Sequence, residues 1–177
     1  MLKEWLDDLR AALDKEFAGA PRPVCLATVD HEGKPAARMV ILRKVDDSGA
    51  MFFVSDARSE KNKQLRARSH AEIVIWLSAL RQQYRVKGEV VIEKDATLWK
   101  ELSEPTRAMF FWPPPGEPRA ADEAFVRTLP DHAAIPENFE VLALVPAVVE
   151  RLKLDTFPHE RIRQTREMDW TPVRLNP

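Results

Sequence analysis

The chain has 177 residues, 45% of them hydrophobic and 31% charged, and 27 Lys and Arg against 28 Asp and Glu leave a net charge of −1. That length supports a real core. Near-neutrality removes any whole-molecule attraction to nucleic acid or anionic membrane, so an anion site has to be a local cluster of cations. The single cysteine, Cys25, excludes an internal disulfide and suits a reducing compartment; in its apolar run it reads as buried filler rather than a reactive thiol.

Leu2, Trp5, Leu6, Leu9, Leu13 and Phe17 fall on one stripe at helical spacing, which predicts an amphipathic helix over 2–18 ended by Gly19 and Pro21. The stripe packs either on the rest of the chain or on a second subunit. Asp7, Asp8, Asp14 and Glu16 interrupt any secretion-signal core, and no stretch has the apolar length to cross a bilayer, so a cytoplasmic protein is expected. From Val24 the period becomes that of strands. Runs at 24–29, 35–45 and 51–55, separated by Asp30-His31-Glu32-Gly33 and Asp46-Asp47-Ser48-Gly49, read as an antiparallel meander. Ser59 is placed to cap a helix over 60–68. Strands follow at 71–77 and 84–93, then a helix at 95–103 with Asp95 as cap. A stiff aromatic and proline-rich loop covers 109–115, and 120–129 reads as helical. Late strands are expected at 139–145, 148–154, 161–165 and 171–175. Many short strands with few helices between them predict a mainly β fold, a barrel with helical additions in one domain over 1–177, and exclude a parallel α/β sheet.

Three places carry chemistry. Arg38-Met39-Val40-Ile41-Leu42-Arg43 is an apolar strand with an arginine at each end. Strand alternation puts the two arginines on opposite faces unless a bulge intervenes, so they serve either at the two rims of a site or as solvated strand-end charges. Ser55-Asp56-Ala57-Arg58-Ser59-Glu60-Lys61 opens a helix. Free backbone N–H groups, the positive dipole end, the hydroxyls of Ser55 and Ser59 and the cations Arg58 and Lys61 suit a phosphate monoester, while Glu60 would repel one if it pointed inward. Gln83, at the head of a strand, is either a surface residue or a donor–acceptor pair for a ring edge. The cluster Phe110-Phe111-Trp112 stacks on a ring or pins the proline loop. His31, His70, His132 and His159 lack ligand spacing, so no metal site is expected. With five glycines, none spaced GxGxxG or GxxxxGK, and no GxSxG, the chain reads as neither a Rossmann nor a P-loop protein, nor an α/β-hydrolase.

In this order, and with the ending Trp170-Thr171-Pro172-Val173-Arg174-Leu175-Asn176-Pro177, these pieces resemble the pyridoxamine 5'-phosphate oxidase family, FMN proteins built on a Greek-key-type split barrel. The resemblance implies that 38–43 contacts FMN, with Arg38 near the phosphate and Arg43, where the family usually has lysine, near the ring. It implies contacts from Val54 and Ser55, a phosphate-binding Lys61, and flavin contacts from Gln83 and Arg161. Glu60 stands where the oxidases have arginine, and Arg58 supplies charge from two residues earlier. On the substrate side the pattern departs. The segment 102–107 has no tyrosine, Phe157 replaces an arginine and Leu152 replaces a tryptophan, leaving Arg107 and His159 as substrate-side candidates.

The resemblance therefore implies a homodimer with FMN at the interface and a flavin-dependent oxidoreductase with an altered substrate site. Such an enzyme needs no protein nucleophile, because the flavin carries the redox chemistry. The competing readings are a non-catalytic flavin module, a sensor or carrier, and a barrel for a deazaflavin or haem. Interleaved acidic and basic residues leave a nucleic-acid partner unsupported.

Overall fold

The computed structural model describes residues 4–121 and 125–177. In chain order it contains α1 (Glu4–Phe17), β1 (Arg22–Val29), β2 (Pro35–Leu42), β3 (Lys44–Val45), β4 (Met51–Asp56), α2 (Glu60–Ala67), β5 (His70–Leu77) and β6 (Gln82–Glu93). Then come α3 (Ala96–Glu101), α4 (Glu104–Ala108), β7 (Phe139–Lys153), β8 (Glu160–Thr165) and β9 (Val173–Leu175). Among the described residues, no helix is long and apolar enough to cross a membrane.

The nine strands form one antiparallel sheet in the order β2-β1-β5-β6-β7-β4-β3, with β8 and β9 branching from β7. β2 and β3 stand at opposite ends of that order, yet only Arg43 separates them in sequence. The sheet must therefore curl until its ends meet, and the Arg43 amide donates to Phe52 O at the closure, 2.9 Å away. The fold is mainly β with added helices, as expected, but 35–45 is not one strand. It divides at Arg43, pairing first with β1 and then with β4.

β7 corrects a second expectation. The runs 139–145 and 148–154 are one 15-residue strand. Its first part pairs with β4 and its last with β8, while β6 runs along the other edge. Between them the register jumps from Gly88↔Pro146 to Lys87↔Val148, which leaves Ala147 as the extra residue of a bulge. Without it Leu144 and Val149, five residues apart, would face opposite sides; both are buried in the core.

The core lies inside the curl. Trp5, Leu6, Leu9 and Leu13 of α1 are buried against Val24, Leu26, Phe53, Ile73 and Tyr84. The helical stripe thus packs on its own chain; Leu2 lies outside the described residues. Each such side chain is worth about 1.5–3 kcal/mol of transfer free energy. A second core joins α3 and the 109–111 turn to β7 through Trp99, Phe110 and Phe139, packed edge to face with centroids 4.9–5.6 Å apart. Asp95 caps α3 as expected, accepting from the Thr97 and Leu98 amides. Ser59 occupies the cap position of α2 without capping it, because its hydroxyl donates instead to Asp56 O. The expected helix at 120–129 does not form at 120–121 or 125–129, and 122–124 lie outside the described residues. Nor is Cys25 core filler; it is half-buried, beside Met39 and Val74.

Candidate functional site

A cavity of about 580 Å³ lies between β2, β4, the start of α2 and the proline loop. Met39, Val40, Ile41, Arg43, Val54, Ser55 and Lys61 all line it, so the structure brings these sequence candidates together. Phe110, Trp112 and Pro114 form the facing wall, while Phe110 and Phe111 also pack in the second core and so pin the proline loop. Leu42 turns into the core, and Arg38 does not line the cavity.

Charge is the site's main property. Arg38 donates to Leu26 O at 3.2 Å and to Gln64 Oε1 at 3.0 Å, and Lys61 donates to Ser59 Oγ at 3.0 Å. Among the described residues none of Arg38, Arg43 and Lys61 forms a salt bridge. Burial lowers the pKa of all three; for Lys61 the neighbouring Arg38 charge adds to the effect, and Asp56 opposes it. Half-buried cations without a salt-bridge partner are a cost that a bound anion reduces. Arg43 Nε is buried with no partner, an orphan donor at the other end of the apolar strand. Glu60 does not intrude: it is exposed and paired with Lys63 at 2.6 Å.

Arg58 and Ser59 do not line the cavity. Arg58 grips Asp56 with two bonds of 2.9 and 2.7 Å and also donates to Trp112 O at 2.9 Å, tying the proline loop to the start of α2. Burial would raise the Asp56 pKa, but the bonds from Arg58 and Asn138 outweigh it and hold it below the ordinary aspartate range. A depressed carboxylate contributes its stability above the ordinary value and loses it as pH falls through the depressed one. Acid titration of tryptophan fluorescence should therefore show the Trp112 loop loosening only below the usual aspartate range. Asp56→Asn should lack that step, being loosened already at neutral pH.

Gln83 and Arg161 lie elsewhere, with Leu152 between them in register, in a separate groove of about 100 Å³. Arg161 donates to Glu150 at 2.7 Å, and Arg163 holds the other carboxylate oxygen at 2.8 Å. Burial pushes the Glu150 pKa up, but the two arginines more than compensate and leave it lowered. The registers Met39↔Cys25↔Val74↔Arg85↔Glu150↔Arg163 run across the sheet, so the groove shares one face with Met39. Three strand spacings, roughly 14 Å along the sheet, separate Met39 from Arg85.

Neither substrate-side candidate lines either pocket. The Arg107 guanidinium lies 6.0 Å from the Trp99 ring with its Nε unpartnered, and its neighbour Thr106 reaches the cavity instead. His159 is exposed, its Nδ1 2.9 Å from Thr156 O. Among the described residues, no group of three or more His, Cys, Asp or Glu is placed to hold a metal.

Residues 2–94 match the family model for the pyridoxamine 5'-phosphate oxidase FMN-binding domain. A pyridoxine/pyridoxamine 5'-phosphate oxidase of Azorhizobium caulinodans is 31% identical, with 100% of this chain and 88% of that protein covered. One from Rhizobium leguminosarum bv. trifolii is 28% identical, covering 100% and 91%. The crystal structure of a pyridoxamine 5'-phosphate oxidase-related, FMN-binding protein of Nostoc punctiforme superposes with a TM-score of 0.88 at 30% identity over 100% of both chains. PhzG of Burkholderia lata, with a TM-score of 0.80 at 23% identity over 99% of this chain and 90% of that one, shares the fold. The chain belongs to the pyridoxamine 5'-phosphate oxidase family of FMN-binding split barrels.

Proposed function

We propose that this protein is an FMN-dependent oxidoreductase, working as a cytoplasmic homodimer of single split-barrel domains with a cofactor site at each subunit interface. The observation that carries the reading is the 580 Å³ cavity itself, apolar along Met39, Ile41 and Val54, with Lys61 and Arg43 in its lining and neither in a salt bridge among the described residues. Its residues fit FMN. Lys61 and Arg38 take the phosphate, the apolar strand takes one ring face, and the orphan donor of Arg43 takes an acceptor on the ring's polar edge. When bound, FMN supplies the redox chemistry. The chain binds it, orients it, excludes water with the Phe110–Trp112 wall, and keeps a fixed positive charge at Arg43 beside the ring.

The placement of Gln83 and Arg161 supports the dimer. They share a sheet face with Met39 but not its pocket, so a second copy packed on that face brings them to the ring of its neighbour. Chains carrying Arg38→Ala with Lys61→Ala, mixed and refolded with chains carrying Gln83→Ala with Arg161→Ala, should regain one intact site per mixed dimer. No regained flavin binding would mean that both sets serve a site within one chain.

The substrate side departs from the family pattern at Phe157, Leu152 and the tyrosine-free segment 102–107, which leaves the electron donor to be identified. Anaerobic addition of pyridoxamine 5'-phosphate, NADH or NADPH to the FMN-loaded protein tests for turnover. Bleaching of the flavin band by one of them supports an enzyme and names its donor. A band that none of them bleaches favours a flavin carrier or sensor.

A further inference from the structure

Behind Ser55 of the cavity wall lies a buried polar network that the reading above does not use. Asn62 of α2 is fully buried. Its Nδ2 donates to Glu140 Oε2 at 2.7 Å, and Glu140, the cross-strand neighbour of Ser55, is itself paired with Arg66 at 2.6 Å. A carboxylate held by an arginine only accepts, so the Asn62 amide nitrogen must face Glu140 and its Oδ1 the opposite way. Oδ1 accepts from Ser55 Oγ and lies 3.1 Å from Ser59 Oγ. Ser59 has a closer acceptor in Asp56 O, at 2.7 Å, and itself accepts from Lys61. The one proton of Ser55 is thus committed to Asn62, and Ser55 has only lone pairs left for a ligand.

A phosphate dianion offers only acceptors, so an acceptor is mismatched to it. Turning the Ser55 proton toward a phosphate would also strip a buried carbonyl of its donor. A sugar-alcohol hydroxyl, which can donate, matches. We infer that Asn62, oriented by Glu140, is a positioning residue that fixes Ser55 as the acceptor for a ribityl hydroxyl, leaving the phosphate to Lys61 and Arg38. The inference rests on the FMN reading and separates Ser55 from the phosphate group in which its sequence neighbours place it.

The test compares dissociation constants for FMN and riboflavin, read by flavin fluorescence, in the unmutated protein and in Ser55→Ala, Asn62→Ala and the double variant. Ser55→Ala should weaken both flavins by the same factor, about 3- to 10-fold. Asn62→Ala should weaken both, and add less than about twofold once Ser55 is alanine. A Ser55→Ala loss confined to FMN, or no loss for either flavin, overturns the inference. So does an Asn62→Ala effect undiminished in the Ser55→Ala background. If Asn62→Ala does not fold, the Ser55→Ala comparison decides alone. Unmutated protein that binds neither flavin overturns the FMN reading as well, whereas binding of both with the wrong pattern overturns only this inference.

Discussion

Replacing Lys61 and Arg38 together by alanine is expected to weaken FMN binding by about 100-fold or more while changing riboflavin affinity by no more than a few-fold. Each charge-assisted bond to a phosphate is worth about 1.5–3 kcal/mol, and riboflavin has no phosphate to lose them. Arg38 also braces Leu26 O and Gln64, so Lys61→Ala alone is the cleaner half of the pair and should give about 10- to 100-fold. The pH dependence has a definite sign. Burial and Arg38 depress the Lys61 pKa, so in the free protein its charge costs stability below the depressed value. That cost is relieved as pH rises from there to the ordinary lysine value, because the unfolded chain binds the extra proton in that interval. Free protein should therefore gain stability over an interval in which FMN affinity falls, since a neutral amine no longer pairs with phosphate. Riboflavin affinity should stay flat. Titration calorimetry with both flavins, beside denaturant melts of the free protein, checks all three trends.

Gly88→Ala should be the most damaging single-methyl change in the sheet. A Cβ at Gly88 would stand 2.0 Å from Val145 O and 2.8 Å from its carbonyl carbon, both backbone atoms that cannot rotate away. The strands must part or the bulge must move, which we expect to cost about 2–4 kcal/mol. Losing the bulge would shift one half of β7 by a residue, and a one-residue slip exchanges the faces of a strand. Glu150 and Leu152 would then turn inward, and the Gln83–Arg161 groove would lose its middle strand. Urea denaturation of Gly88→Ala beside Gly33→Ala separates the two effects. Gly33 has open space around it and is strained only by its positive φ of 85°, so its loss should be the smaller. Equal losses would mean that the close approach at Gly88 is unimportant.

The sequence shows its elements wherever one periodicity governs one partner. Helix α1 and strands β1, β5 and β6 follow their apolar spacing because each buries a single face throughout. The two misread strands are those that change partner midway. Alternation runs unbroken through Arg43, so nothing local marks the point where the chain leaves β1 for β4. Pro146 looks like a terminator and is instead a bulge residue tolerated opposite a glycine. The 120–129 segment has helical spacing, but Trp112 Nε1 binds Val126 O and Glu104 binds the Leu129 amide. Those tertiary bonds, invisible to local pattern, hold Val126 and Leu129 outside any helix.

The same division applies to the site. Lys61, Ser55 and the 38–43 strand are local neighbours of one turn and one strand, and the fold keeps them together. Asn62 and Glu150 were not legible as site residues, since a buried Asn or Glu in sequence looks like any polar residue. Their partners, Glu140 and the arginines of β8, are 78 and 11–13 residues away. Alternation did signal that Arg38 and Arg43 differ in facing. The same alternation places Arg43 with Met39 and Ile41, and all three line the cavity.

The most direct measurement is the visible absorption spectrum of the purified protein, taken before and after addition of FMN and gel filtration. The account predicts a flavin band that co-elutes with a dimer-sized peak, in the protein as isolated or after loading. A colourless protein that lets added FMN separate on the column would contradict it, leaving a family scaffold whose cations and cavity serve some other ligand.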